Sequence, residues 1–580
     1  MLTTAAPSDS LFTALWLHLD EAQKQLMGGA GRSAQQLAEA LAVRASTRRE
    51  QVAQLLGMAP IEGNVRAPVR LGDGRLGYPL SGGQPDRRLT GSVLTTEDQT
   101  ARRSIHAGLR QLFPHWHAAD VTWMAHQLAQ RPARTVWTAF SELSSQVRGL
   151  RSSLWRWYVQ ATGATYTSRQ RVGRLLAQAW QPHDFGPGGI SSLRIEGERV
   201  GTLPTLPANV HFAHIRNLSL SNIGLSTLEQ AFLARFSNLT SLLLGGNSLT
   251  TVPDLASFTR LTRLDLQRNQ LSQVRGLGQL TQLTQLRLND NQLSELPGLE
   301  NLRRLSRLDL QDNRLTGVPG LENLILLIQL DLSGNRLTAL SGQLERLTGV
   351  QFLNLGRNQL TAVPQGIERM VGLNQLNLAS NQLTELPDSL GQLAGLLHLH
   401  LGGNRLSVVP VALGNLTQLR ILNLASNQLT EIPLGLERLR QMTELYLGNN
   451  QIVIDLAGGQ RLEAFSRLQM LSLNRNPIGM IAPLRNLDHL RHLALRETGL
   501  TEFPLAFLQA HPQLHVDIAG NLIVELSEQA LQWVHQHPHR VNLANNPLDE
   551  EAMARWRAAQ MRIDTLRRQG RSVSWEQERL

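Results

Sequence analysis

From Leu239 to Ile478 the apolar and polar positions recur with a period of 22 or 23 residues. Each period reads apolar-x-x-apolar-x-apolar-x-x-Asn-x-apolar, most plainly at Leu261, Leu264, Leu266, Asn269 and Leu271. The same places hold Leu283, Leu286, Leu288, Asn291 and Leu293, then Leu305, Leu308, Leu310, Asn313 and Leu315. A period of this length predicts a solenoid, in which each turn buries its apolar edge only against its neighbours. The Leu-x-Leu step is the alternation of a short strand, with both leucines inward and the residue between them outward. Successive strands then pair in parallel at about 4.8 Å and form an inner wall roughly 70 Å long.

Asparagine fills the turn position eleven times between Asn247 and Asn476, and Ile223, Thr498, Asn521 and Asn546 mark weaker turns, giving 15 in all. A buried carboxamide offers two donors and an acceptor to the backbone of adjacent turns. This pattern is the leucine-rich-repeat signature. The resemblance implies an α/β solenoid: a horseshoe of about 15 turns with a parallel concave β-sheet, preceded by an α-helical region and closed by a C-terminal helix. Short return arms such as Val318-Pro319-Gly320 and Leu386-Pro387-Asp388 predict 3₁₀ or single helical turns on the convex side, and the longer gap from Asn450 to Asn476 predicts a bulge.

The flanks divide the chain into 1–90, a leader and linker; 91–190, a Trp-rich helical cap; 191–548, the solenoid; and 549–580, a closing helix and tail. In the leader, Ser10–Met27 and Ser33–Leu56 have helical spacing, while Ile61–Pro85 is rich in glycine and proline. Seven of the ten tryptophans precede residue 190. Thr95 with Asp98 predicts an N-cap, Asp120 opens an amphipathic stretch to Leu128, and Arg134–Gln160 carries Val136, Phe140, Leu143, Val147, Leu150, Leu154 and Trp157 at steps of four and three. After a short connection containing Gly163 a further helix is expected over Ser168–Trp180, and one after Asp549 with Met553 and Trp556 inward. The arginines at 148, 151, 156, 169, 171 and 174 read as a solvated face.

The absence of cysteine removes disulfides, thiolate metal sites and cysteine nucleophiles from these 580 residues. The start lacks the basic region of a secretory signal and its apolar run, Leu11 to Leu19, is short and flows into Asp20 and Glu21; no stretch approaches 18 apolar residues, so no membrane span is expected. The net charge is +10, from 56 basic and 46 acidic residues, but 91–190 alone contributes +6, so the excess is not a track along the repeats. Of the 56 basic residues only Lys24 is lysine, which fits either a coding bias toward arginine or selection against ubiquitin acceptors.

Residues 110–560 resemble the repeat part of bacterial, type III secreted effectors that carry a novel E3 ubiquitin ligase domain after their leucine-rich repeats. The resemblance rests on Leu112-Phe113-Pro114 with Asp120-Val121, on Arg171–Trp180 followed by Gly201-Thr202-Leu203-Pro204, and on Asn545-Asn546-Pro547-Leu548. It implies that the repeats select a target while a following helical domain transfers ubiquitin through a cysteine. That domain is expected to begin where this chain stops. The chain is then a fragment, a split form, or a relative without the ligase, and no catalytic residue carries over. The resemblance places it in the bacterial cytoplasm before secretion and the host cytoplasm afterwards. A stand-alone scaffold or adaptor, cytoplasmic and unrelated to ligases, is the alternative. An enzyme seated in the Trp-rich helices is a third reading, without a nucleophile or acid–base pair to support it.

The candidate site is the concave wall, formed by residues beside the strand leucines: Arg263, Asp265, Arg287, Asp309 and Asp331, then Phe352, Asn354, Asn377, His398, His400, Ile421, Asn423, Glu444, Tyr446 and Met470. Its first part mixes charges, unlike the positive, aromatic-lined track of a nucleic-acid groove. Its second part exposes aromatic and apolar groups, as protein-binding hot spots do. No cofactor is expected. His398 with His400, and the group His511, His515, His535, His537 and His539, lack the ligand spacing of a metal site.

Overall fold

Each Leu-x-Leu step forms a three-residue strand, and the strands stack in chain order into one parallel sheet of sixteen, from Ser192–Arg194 to the two-residue Val541–Asn542. The computed structural model describes residues 69–70, 76–77, 106–110, 118–129, 133–180, 191–340, 342–479 and 489–568. The expected helices Ser10–Met27 and Ser33–Leu56 and the Thr95 cap lie outside these residues. Within the expected linker, Val69–Arg70 and Leu76–Gly77 pair as a short antiparallel hairpin. The chain divides into two compact units, Met1–Gly149 and Leu150–Leu580.

Helix α1, Ala118–Ala129, buries Val121, Met124, Ala125 and Leu128, the steps of three and four that define one face. Helix α2 spans Ala133–Val159, within a residue of the range its periodicity predicts. Helix α3, Gly163–Ala179, begins five residues earlier than Ser168. Gly163, read as a connector, is instead its first residue, and Tyr166 meets Tyr158 edge to face at 6.0 Å across the corner. Edge-to-face packing of this kind stabilises the tighter corner.

Leu154 and Trp157 of α2 and Val172 and Leu176 of α3 are buried. Trp157 Nε1 donates to the Thr202 carbonyl at 3.1 Å. The Arg169 guanidinium donates to Trp157 O (2.8 Å), Val200 O (3.0 Å) and Thr202 Oγ1 (2.9 Å), and lies 5.2 Å from the Trp157 ring. Arg169 therefore corrects the expectation of a solvated arginine face: it joins α2, α3 and the first turn of the solenoid. A charge-assisted donor with several partners fixes geometry where a single leucine contact would not.

The register is constant: Leu264 opposes Leu286, Leu286 opposes Leu308, and so on along the stack. The first strand, Ser192–Arg194, adds one turn to those legible in the sequence. Leu193, Ile195 and Val200 fit the repeat, but Glu198 stands in the asparagine place and hides it. Among the described residues, seven arms between Leu277 and Arg438 form 3₁₀ turns, as their length predicts, while the arm over 342–346 is turn and bend. At Gly298, φ is 90° and a Cβ would lie 2.7 Å from the Gly278 backbone, so only glycine fits. The long gap before Asn476 is taken up by a helix, Leu456–Glu463, capped by Asp455. At the far end Ser527 caps Glu528–Gln536 and Asp549 caps Glu550–Arg568, burying Trp533 and Trp556.

Candidate functional site: the concave face

The wall is built on the asparagines. Asn381 Nδ2 donates to Leu355 O and Leu378 O, both at 3.0 Å, and its Oδ1 accepts from Leu360 N–H at 3.0 Å. Equivalent bonds recur from Asn247 to Asn476, so each turn is tied to the one before it. At the weak turn Thr498 the hydroxyl keeps one such bond, to Leu495 O at 2.9 Å. Backbone polar groups are thus met within the stack, and side chains alone vary along the wall.

Those side chains form two columns. Arg263, Phe352, His398, Ile421, Glu444 and Met470 belong to the first; Asp265, Arg287, Asp309, Asp331, Asn354, Asn377, His400, Asn423 and Tyr446 belong to the second. Phe352, His400, Ile421 and Tyr446 lie within five consecutive strands, with Gln375 between Phe352 and His398. All four are half-buried.

The second column has a structural task that the sequence did not reveal. Asn354 Oδ1 accepts from Gly356 N–H (3.1 Å), Asn377 Oδ1 from Ala379 N–H (2.9 Å) and Asn423 Oδ1 from Ala425 N–H (2.9 Å). Asp331 does the same for Ser333 N–H at 3.0 Å, and its other oxygen accepts from Asn354 Nδ2 at 3.0 Å. These are Asx turns that end the strand. The signal was present as Asp or Asn two residues before a turn residue, repeated down one column. Asp265, on the same column, is buried and meets Arg287 at 3.7 Å.

Electrostatics follow from this crowding. Burial raises the Asp309 carboxyl above its usual range, and Asp331 on the next strand adds to it. Burial lowers His400, with His398 acting in the same sense and Glu444 against it. Glu444 also accepts the Tyr446 hydroxyl at 2.8 Å. The second histidine group is divided among different partners. His511 is buried on Phe507 O, and His537 stacks on Trp533 at 4.9 Å. His492 stacks on His515 at 5.6 Å, and the tilted His539 ring lies 6.1 Å from His515. Among the described residues no group of three or more His, Cys, Asp or Glu is placed to hold a metal ion.

A parallel sheet of Leu-x-Leu strands tied by asparagines defines a leucine-rich-repeat solenoid. Residues 348–406 match the leucine-rich-repeat family, and 237–279, 259–301, 281–323 and 417–458 match its two-copy form. The chain is similar to a leucine-rich-repeat protein of Leptospira interrogans (27% identity, 60% of this chain and 94% of that one, TM-score 0.46) and to an internalin of Listeria monocytogenes (26%, 60% and 93%, TM-score 0.49). A TDR receptor shares the fold at 21% identity over 67% of each chain, with a TM-score of 0.52. A search of curated proteins gives no significant match. No helix among the described residues is long and apolar enough to cross a membrane.

Proposed function

We propose that the solenoid is a protein-recognition module whose target seats around Phe352, His400, Ile421 and Tyr446, and that it is the target-selecting part of a bacterial effector related to E3 ubiquitin ligases. The observation that carries the first half is the group of half-buried aromatic, imidazole and aliphatic side chains within five consecutive strands whose backbone is already satisfied. Such groups bind by desolvation against a protein surface. The second half is supported by the flanking stretches Arg171–Trp180 and Asn545–Leu548. In this reading the chain acts in the host cytoplasm after secretion, and the ubiquitin machinery reaches the target through another domain or chain. The lack of cysteine favours an adaptor as the second reading, since a ubiquitin thioester needs a thiolate.

The test replaces Phe352 by a photo-crosslinking phenylalanine analogue and identifies the adduct formed in host lysate. Phe352→Ala with Tyr446→Ala is expected to weaken capture of that target by about 2 kcal/mol, or roughly thirtyfold. Equal capture by a folded double variant places the site elsewhere. Incubated with ubiquitin, its activating and conjugating enzymes and ATP, the chain is expected to form no thiol-labile adduct.

A further inference from the structure

One lateral face of the solenoid breaks its own rule. Three positions flank the buried leucine that precedes each strand, and in most turns they are polar: Thr259, Arg260 and Thr262, or Thr281, Gln282 and Thr284. Side chains there interlock between turns, as Arg304 does with Gln282 (2.8 Å) and Arg260 with Asn238 (3.2 Å). In the turn that leads to Leu330 all three are aliphatic: Ile325, Leu326 and Ile328, with 48, 56 and 43% exposure. Val371, in the same column two turns on, is 71% exposed.

The charge of this face is one-sided. Between residues 237 and 469 its three columns hold six arginines and no acid. Arg303 and Arg304 border the apolar patch on one side, Arg420 and Arg440 on the other, and all four are exposed. None of the four forms an ion pair with an acid among the described residues. Between these borders the column of Leu326 continues as Gly349, Gly372 and Gly395, all exposed, which leaves a floor without side chains over three turns. A Cβ at Gly372 would meet only Thr348 O at 3.9 Å, so the backbone does not require glycine there.

We propose that this lateral face, distinct from the concave site, docks an acidic amphipathic helix of a partner protein. The apolar stripe of the helix covers Ile325, Leu326, Ile328 and Val371, and its carboxylates reach the bordering arginines. A second copy docked through the same face would oppose arginine with arginine. The bare floor suits a rod and not a flat bilayer. From the Arg303 turn to the Arg420 turn is five strand spacings, about 24 Å, the length of a helix of about 16 residues.

The probe is a phage library of random 16-residue peptides, panned on the full chain and counter-selected on Gly372→Arg, which restores the polar rule of the other turns. Enriched peptides are expected to be net negative, with apolar residues at helical spacing. One synthetic winner, followed by fluorescence anisotropy, should lose at least tenfold in affinity with Leu326→Ser and with Gly372→Arg, and weaken with salt. Phe352→Ala with Tyr446→Ala should leave it unchanged, so failure of the concave site and of this one are told apart. Circular dichroism checks that each variant is folded. Peptides that do not distinguish wild type from Gly372→Arg, or that follow the concave variant, overturn the proposal. So does Leu326-dependent sedimentation with phosphatidylserine vesicles in the absence of any selected peptide.

Discussion

Replacing Asn381 by alanine tests the physical basis of the whole stack. The change removes two donors and an acceptor: Leu360 N–H is left without its partner in a buried site, while Leu355 O and Leu378 O each lose one bond and keep those from Asn358 and Asn404. At about 1 kcal/mol for each lost bond the expected destabilisation is about 3 kcal/mol. Asn381→Thr is expected to cost less, about 2 kcal/mol, because Thr498 shows that a hydroxyl in this place still reaches a carbonyl at 2.9 Å. Urea unfolding followed by far-UV circular dichroism measures both. Tryptophan fluorescence reports only the ends, since no tryptophan lies between Trp180 and Trp533. Amide exchange adds a local reading: Leu360 N–H should exchange about 100-fold faster in the alanine variant, while amides several turns away change little. A loss below about 1 kcal/mol, or threonine no better than alanine, would refute the view that the carboxamide bonds hold the turns together.

Ser380 has φ +55°, a conformation that is strained for any residue with a Cβ. Ser380→Gly is therefore expected to raise stability by about 1 kcal/mol in the same urea assay. Asp309, raised chiefly by burial and then by Asp331, binds a proton more readily folded than unfolded. Its charge opposes folding above the unfolded value near 4, and Asp309→Asn should stabilise at pH 7 with a gain that vanishes below that value. A gain independent of pH would refute this. His492, His515 and His539 are each lowered, first by burial and then by neighbouring charge from Arg491 or Arg540 or from one another. They fold neutral, so stability is full above about pH 6.5 and falls as the pH drops below it. Calorimetry at pH 7.5 and 5.5 should show that loss, and His515→Phe should reduce it.

The solenoid was legible because its pattern is local and repeated: a leucine two residues from the next, with asparagine three further on, leaves little choice of fold. Where one residue departed from the pattern, the sequence understated the structure. Glu198 concealed the first strand, and Gly163 suggested a linker inside what is the start of α3. Arg169 was misread for a different reason. A surface arginine and a clamping arginine have the same sequence spacing, and only the approach of Thr202 and Val200, more than thirty residues away, separates them. The partners of the histidines were equally invisible in the sequence: His511 and His537 are spent on their own helices, while His492 joins His515 from the adjacent strand.

The two wall columns therefore do unequal work. In the second, Asp331, Asn354, Asn377 and Asn423 spend an oxygen on closing the strand end, and substituting them would disturb the turn before it disturbed a partner. In the proposed site, recognition would therefore fall to the first column and to His400 and Tyr446. Along that column Arg263, Gln285 and Arg307 are all polar, whereas Phe352, Ile421 and Met470 are interspersed with Gln375, His398 and Glu444, so a chain bound there would meet a polar end and a mixed end. The apolar lateral patch lies on the turns of the strands from Leu330 to Leu376, and the Phe352 strand belongs to that same stretch. Strands joined by constant register and by the asparagines move as one body, so ligands on the two faces would be held in a fixed relation without touching each other.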